Sequence, residues 1–376
     1  MSRVDEIRAF VRNLASLIEA EPLETKVSGQ APSELHLELT YRCDSNCIMC
    51  NLGELLKEQK TPDLSLEELK STIENSSLLK NMTYIVLSGG EPWLHPEFTD
   101  IACYLKGKYP DADILILSNL INSSAFLKKL RTIKENCGID RMAIGSSIDG
   151  VGKVHDKIRG VEGAFESTIS TALLIKKEFP SLYPTFNFTL QPANVSEIPG
   201  VYKWSRKMGA HLSYQVIVPK EELGPVKWTE DKIKEAEAGI EEVIDMIWEE
   251  EGFGNFNPEQ IFSNLTLMFF LLNFEYMISY IRDPRRYYYN CPCGDKYAMI
   301  SPLGELYFCP VHKNMMAGNL REHDFDSIWA GNEARKIRDF FNSYACHCWL
   351  SCTNDGMMAG NFFPKKEEII HRLSKK

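Results

Sequence analysis

Cys43, Cys47 and Cys50 stand in YRCDSNCIMC with the spacing C-x3-C-x2-C. One short loop can turn three such thiolates toward a common centre, and thiolate is the soft ligand on which iron-sulfur clusters are built. A four-iron cube takes one Cys per iron, so three cysteines leave one iron open to a ligand that is not protein. Substrate chemistry can begin at that open position. A zinc knuckle is the competing use of the same thiols, but it asks for a fourth Cys or His nearby, and the following NLGELLKEQK supplies none. A second set lies near the C-terminus: Cys291 and Cys293 in CPCGDK, Cys309 closing YAMISPLGELYFC, and Cys346, Cys348 and Cys352 in CHCWLSC. These donors suffice for a further cluster or for a structural zinc ion, and either would staple a small domain with little core of its own. Cys103 and Cys137 have no cysteine near them in sequence and are expected as buried, unliganded thiols.

The elements that must position the first three cysteines alternate. An amphipathic helix over about 4–20 is followed by a polar linker and then by ELHLELT, a strand that ends just before Cys43. TYIVLS, DILILS, RMAIGSS, TFNFTL and LSYQVIV follow as further strands at intervals of roughly 30 residues, separated by helical segments such as SLEELKSTIENS with Ser65 as its N-cap. Six strands in β/α alternation predict an α/β fold with a curved parallel sheet, helices covering its outer face, and ligands at the C-terminal strand ends. The pattern then changes to an acidic helix and to the apolar stretch IFSNLTLMFFLLNFEYMISYI. Interrupted by Asn264, Asn273 and Glu275, that stretch is expected as a buried helix or pocket wall, with no membrane span. The expected organisation is an N-terminal helix and linker over 1–33, the β/α core over 34–220, a helical bridge over 221–285, a small α+β cysteine-rich domain over 286–360, and a tail over 361–376.

A net charge of −10 and a pI near 5.4 disfavour a nucleic-acid grip, which needs clustered Lys and Arg. The N-terminus lacks the apolar core and cleavage site of a signal peptide, which points to the cytoplasm. In a reducing compartment, grouped cysteines serve metals or catalysis more often than disulfides, and nine of the eleven here are grouped.

With these residues in place, the stretch from Leu35 to Val218 resembles the radical S-adenosylmethionine (SAM) superfamily, in which C-x3-C-x2-C follows the first strand of a partial (β/α)6 barrel. Ser88-Gly89-Gly90-Glu91-Pro92 resembles the family's GGE(P) motif, which holds the methionine ammonium of SAM. Ser118-Asn119 resembles its polar contacts to the SAM ribose or carboxylate. Ser147 in SSIDG and Arg159 in VHDKIRG resemble the serine and arginine that hold the SAM carboxylate. The residue types suit those roles: glycine permits close backbone approach, a carboxylate meets an ammonium, and guanidinium binds carboxylate through two parallel hydrogen bonds. Asp149 is expected to cap its turn, and Met49 to stand where relatives place an aromatic residue against adenine. Cys291, Gly304 and Cys309 resemble the start of the SPASM or twitch auxiliary domains. The resemblance implies one auxiliary 4Fe-4S cluster on Cys291, Cys309, Cys348 and Cys352, with Cys293 and Cys346 as substitutes. His95 is expected to cap or pack; His312 and His347 stand beside the auxiliary cysteines.

The resemblance implies reductive cleavage of SAM at a 4Fe-4S cluster to a 5′-deoxyadenosyl radical, which abstracts a hydrogen atom from the substrate. An electron donor such as flavodoxin or ferredoxin is implied as a partner. The auxiliary cluster favours net oxidation, although redox-neutral epimerisation stays open, and no catalytic side chain is assigned. With only about 33 residues before the first strand, a small molecule is the expected substrate rather than a peptide gripped by a leader-binding domain. A peptide-modifying maturase and a non-catalytic metal-binding scaffold or cluster carrier are the alternatives. A carrier would have no use for the GGEP, Ser147 and Arg159 set.

Overall fold

A computed structural model describes residues 2–19, 27–218, 226–287, 291–343, 345–350, 358 and 362–373. Helix α1 (Arg3–Glu19) buries Ile7, Phe10, Val11, Leu14 and Ile18 along one stripe, as its three- and four-residue spacing requires. Strand β1 (Glu34–Thr40) leads into the cysteine loop, and α2 (Leu52–Glu58) and α3 (Leu66–Asn75) follow. Ser65 begins α3 with a full capping box, its side chain and that of Glu68 each satisfying the other's backbone N–H. The chain then alternates: β2 (Tyr84–Gly89), α4 (Phe98–Lys108), β3 (Asp113–Leu117), α5 (Ser123–Cys137), β4 (Met142–Ser147), α6 (Lys153–Arg159), α7 (Ala164–Glu178), β5 (Thr185–Leu190), α8 (Ile198–Met208) and β6 (Leu212–Val216).

All six strands are parallel and stand in the order β6-β5-β4-β3-β2-β1. Because side chains alternate along a strand, Leu35, Leu37, Ile85, Leu87, Ile114, Ile116, Ile144, Phe186 and Phe188 share the helix-covered face and join the main core. The opposite face carries His36, Glu38, Ser88, Leu117, Ser147, Asn187 and Gln215, a mostly polar surface that ends at the cysteine loop.

The apolar stretch forms two helices rather than one, α10 (Pro258–Ser263) and α11 (Leu265–Arg282), after the acidic α9 (Glu230–Glu250). Asn264 makes the break: its side chain accepts from Leu267 N and caps α11. Among the described residues no helix is long and apolar enough to cross a membrane.

The cysteine-rich segment does not stand apart from the core sheet. Strand β7 (Tyr297–Ile300) pairs in parallel with β1, Glu34 opposite Tyr297 through Leu37 opposite Ile300. Strands β8 (Glu305–Tyr307) and β9 (Gly318–Asn319) extend the sheet antiparallel to nine strands. This covers an edge of β1 that would otherwise be unpaired. After α12 (Phe325–Ala330) and α13 (Asn332–Asn342) the chain reaches the other side of the sheet, where Trp349 O accepts from Val216 N at 2.9 Å. The segment is therefore tied to β1 at one flank and to the end of β6 at the other.

One expectation is corrected. Cys103 and Cys137 are joined as a disulfide, with 5.5 Å between their Cα atoms. Helices α4 and α5 are successive crossovers that pack side by side, which brings together two residues 34 positions apart.

Candidate SAM site and auxiliary cysteine cavity

The loop after β1 holds Cys43 exposed and Cys47 and Cys50 half-buried. Backbone bonds clamp it from both sides. Gly90 N donates to Thr40 O at 2.7 Å and Glu91 N to Arg42 O at 2.8 Å, while Asn46 N and Ile48 N donate to Arg159 O and Ile158 O at the end of α6. The glycines make these approaches possible. A Cβ on Gly90 would lie 2.2 Å from Arg42 O, and one on Gly160, which has φ +68°, would lie 2.2 Å from Asn46 O. The GG of GGEP thus brings the backbone of β2 against the cysteine loop. Burial pushes the Cys43 thiol up to about 11 and raises Cys47 as well, where the Arg159 charge opposes it.

Glu91 is 1% exposed. Its Oε2 accepts from Asn119 N at 2.8 Å, whereas its Oε1 is buried with no hydrogen-bond partner. Burial pushes this carboxyl up to about 8, against the Asn119 N–H and the Ser118 hydroxyl. Asn119 ties the strand end to the loop, its Nδ2 donating to Asp44 Oδ1 at 2.6 Å and Ser45 Oγ at 2.8 Å and lying 3.9 Å from Cys43 Sγ. Its carbonyl accepts from Thr168 Oγ1. Ser118 is buried and its Oγ accepts from Leu120 N, a residue held at φ +59°.

Arg159, the last residue of α6, pairs with the fully buried Asp149 at 2.5 Å and turns Nη1 toward Cys47 Sγ at 3.9 Å. Its Nε is buried without a hydrogen-bond partner. Asp149 does more than cap a turn: its Oδ1 accepts from Thr189 N on β5. Ser147 ends β4 half-buried, opposite Asn187. Met49 meets Gln191, whose Nε2 lies 4.0 Å from its sulfur. His95 packs as expected, with one nitrogen at Leu64 O and the other accepting from Glu97 N. On the face opposite the main core His36 is held between Tyr297 and Ser88, and burial, helped by the Lys313 charge, lowers its pKa to about 3. Lys313 itself bonds both oxygens of Glu38.

The second cysteine set lines one cleft of about 540 Å³, open mouth included. Cys291, Cys293, Cys309, Cys346 and Cys348 all face it, with His312 and His347 beside them. Cys352 lies outside the described residues. Cys293, placed in reserve by sequence, is only 2% exposed and sits against two of the expected ligands, and the contact lowers Cys291, to about 7, and Cys309 while raising Cys293 itself. Among the described residues no three His, Cys, Asp or Glu are gathered to hold a single metal ion. A four-iron cluster asks for something different, one thiolate on each iron.

The family model of the radical SAM superfamily matches residues 37–204, and an iron-sulfur cluster-binding domain of SPASM type matches residues 291–353. The chain belongs to the radical SAM superfamily. Two curated relatives bear this out. The AdoMet-dependent heme synthase of Methanosarcina barkeri is 26% identical over 327 residues, 82% of this chain and 85% of that protein. The antilisterial bacteriocin subtilosin biosynthesis protein AlbA of Bacillus subtilis is 26% identical over 333 residues, 87% of this chain and 66% of AlbA. In fold, the chain is similar to Streptococcus suis SuiB bound to its precursor peptide SuiA, with a TM-score of 0.58 and 14% identity over 88% of this chain and 70% of SuiB.

A radical SAM domain implies a 4Fe-4S cluster and SAM, and a SPASM domain implies auxiliary iron-sulfur. The residues present fit both. SAM carries an ammonium and a carboxylate, and the buried atoms of the site without a hydrogen-bond partner include an acceptor on Glu91, Oε1, and a donor on Arg159, Nε. Asp149 was under-read in sequence because its role is to hold other groups, whereas Asn119, expected as a SAM contact, also ties Glu91 to the cysteine loop. The signal that could have found Asp149 was its place two residues beyond a strand end, with an arginine one short helix later.

Proposed function

We propose that this protein is an enzyme that binds SAM against a cluster held by Cys43, Cys47 and Cys50 and uses it to abstract a hydrogen atom, with net oxidation of the substrate. The observation that carries the reading is the opposed pair of unmet buried atoms, Glu91 Oε1 and Arg159 Nε, on the two sides of the cysteine loop. When bound, the cluster and SAM together supply a 5′-deoxyadenosyl radical; orientation and exclusion of water fall to the protein. Glu91 takes the ammonium. Arg159, its other edge fixed by Asp149, takes the carboxylate, with Ser147, Ser118 and Asn119 as further polar contacts and Met49 beside the adenine. The sheet face opposite the main core, with His36, Ser88, Asn187 and Gln215, holds a polar substrate near the strand ends.

A small molecule is the leading substrate class, supported by likeness to a heme synthase across most of its length. A peptide is the second, supported by the likeness to AlbA, a bacteriocin biosynthesis protein. A flavodoxin or ferredoxin supplies electrons, and a reducing cytoplasm suits the grouped thiols. Anaerobic reconstitution should give about eight irons per chain, from two four-iron clusters, and 5′-deoxyadenosine on addition of dithionite and SAM. Cys43→Ala, Cys47→Ala and Cys50→Ala should each abolish it, whereas Cys309→Ala should spare part of the SAM cleavage and stop product formation. Iron-free protein, or loaded protein that leaves SAM intact, refutes the reading. Stimulation of cleavage by size-fractionated cell extract then separates metabolite from peptide.

A further inference from the structure

We infer that Arg286 raises the reduction potential of the cluster in the C-terminal cavity, so that this cluster accepts an electron from the substrate radical. The inference rests on the proposal that the cavity holds a cluster. Arg286 follows α11 and is half-buried at the cavity wall. Its Nη1 donates to Phe341 O at 2.9 Å and lies 3.7 Å from Cys346 Sγ. Arg286 lines the same cavity as Cys291, Cys293, Cys309 and Cys348. Among the described residues that line the cavity, it alone carries a permanent charge; the rest are cysteines, two histidines, a tyrosine and apolar side chains.

The sign follows from charge. A four-iron cluster with four thiolates is an anion and gains one more negative charge on reduction, so a fixed cation beside it stabilises the reduced form more than the oxidised form. An N–H aimed at a ligating sulfur acts in the same direction. The planar fork lets one arm hold a backbone carbonyl while the group faces sulfur, which keeps the charge in place where a lysine would swing.

The step balances as follows. The substrate radical, left after hydrogen-atom removal, gives one electron to the oxidised auxiliary cluster and one proton to solvent, and becomes the two-electron-oxidised product. The reduced cluster then passes that electron to an oxidised one-electron carrier of flavodoxin or ferredoxin type. A higher auxiliary potential drives the first transfer.

The test is an EPR-monitored redox titration of the reconstituted full chain in which Cys43, Cys47 and Cys50 are all Ala, so that auxiliary iron alone responds. Iron is counted first. If the background protein holds none, the cluster assignment fails and this inference with it. With iron present, R286Q and R286M should titrate at lower potential than the background, and R286K in between. An unchanged midpoint in iron-replete R286Q or R286M overturns the inference. Loss of auxiliary iron from both neutral variants also overturns it, by showing that the guanidinium is a structural tie rather than a determinant of potential.

Discussion

Arg159 holds the fully buried carboxylate of Asp149 at 2.5 Å while the carbonyl of the same residue accepts the N–H of Asn46 inside the cysteine loop. One residue thus links the centre of the sheet to the loop that carries the thiols. Asp149→Asn leaves a buried guanidinium without its counter-charge, which costs about 3–5 kcal/mol. The expected result is a lower Tm together with a lower iron content at the three-cysteine site, by calorimetry and iron assay. Wild-type values for both would remove Asp149 from the site.

The cysteine loop depends on two glycines for its clamps. Gly90→Ala and Gly160→Ala each place a methyl 2.2 Å from a backbone oxygen of the loop, and no rotamer relieves a backbone clash. Both variants should lose most of their N-terminal cluster while the auxiliary iron stays. Gly53→Ala is the control. It lies within α2 with nothing within 4 Å of the added carbon, so helix propensity predicts a gain of up to about 1 kcal/mol. Equal iron loss in all three would refute the clamp.

Glu91 predicts a pH dependence. Its carboxyl is raised by burial from 4.5 to about 8, so the favourable contribution of the neutral form is complete below about 4.5 and is lost as pH rises through 8. An ammonium needs the carboxylate, so below pH 8 SAM binding must expel a proton. SAM affinity should therefore strengthen with pH by up to about tenfold per unit and level off above 8. Equilibrium dialysis of reconstituted protein measures this, and Glu91→Gln should bind weakly with a flat profile. A flat wild-type profile would contradict the assignment.

Much of this organisation was legible in the sequence because strand period, glycine placement and cysteine spacing are local signals. The six core strands and the N-cap at Ser65 follow from short windows read in order, and Glu91, Asn119 and Arg159, marked by resemblance to the family's motifs, all reach the cysteine loop. What escaped depends on contacts between distant segments. Pairing of β7 with β1 joins residues about 260 positions apart, and no periodicity encodes a partner. The Cys103–Cys137 bridge needs two helices laid side by side. Cys293 looked spare because spacing counts candidate ligands but does not show which of them share a cavity.

Asn273 offers the last prediction, because it turns a stretch that resembles a membrane segment into a joint between domains. Its Nδ2 donates to Tyr214 O on β6 at 2.9 Å and its Oδ1 accepts from Trp349 Nε1 at 2.7 Å, with Trp349 stacked on Tyr276. Asn273 and Trp349 are both buried, as is Tyr214, so Asn273→Leu leaves a donor and an acceptor unmet at about 1–3 kcal/mol each. Trp349 directly follows Cys348 and is pinned to the sheet through Val216 N, so the loss should reach the auxiliary cavity before the SAM site. Hydrogen exchange should rise first around 345–350 and at Val216, and auxiliary iron should fall while SAM cleavage persists. If instead both clusters are lost together, Asn273 supports the whole fold rather than this joint.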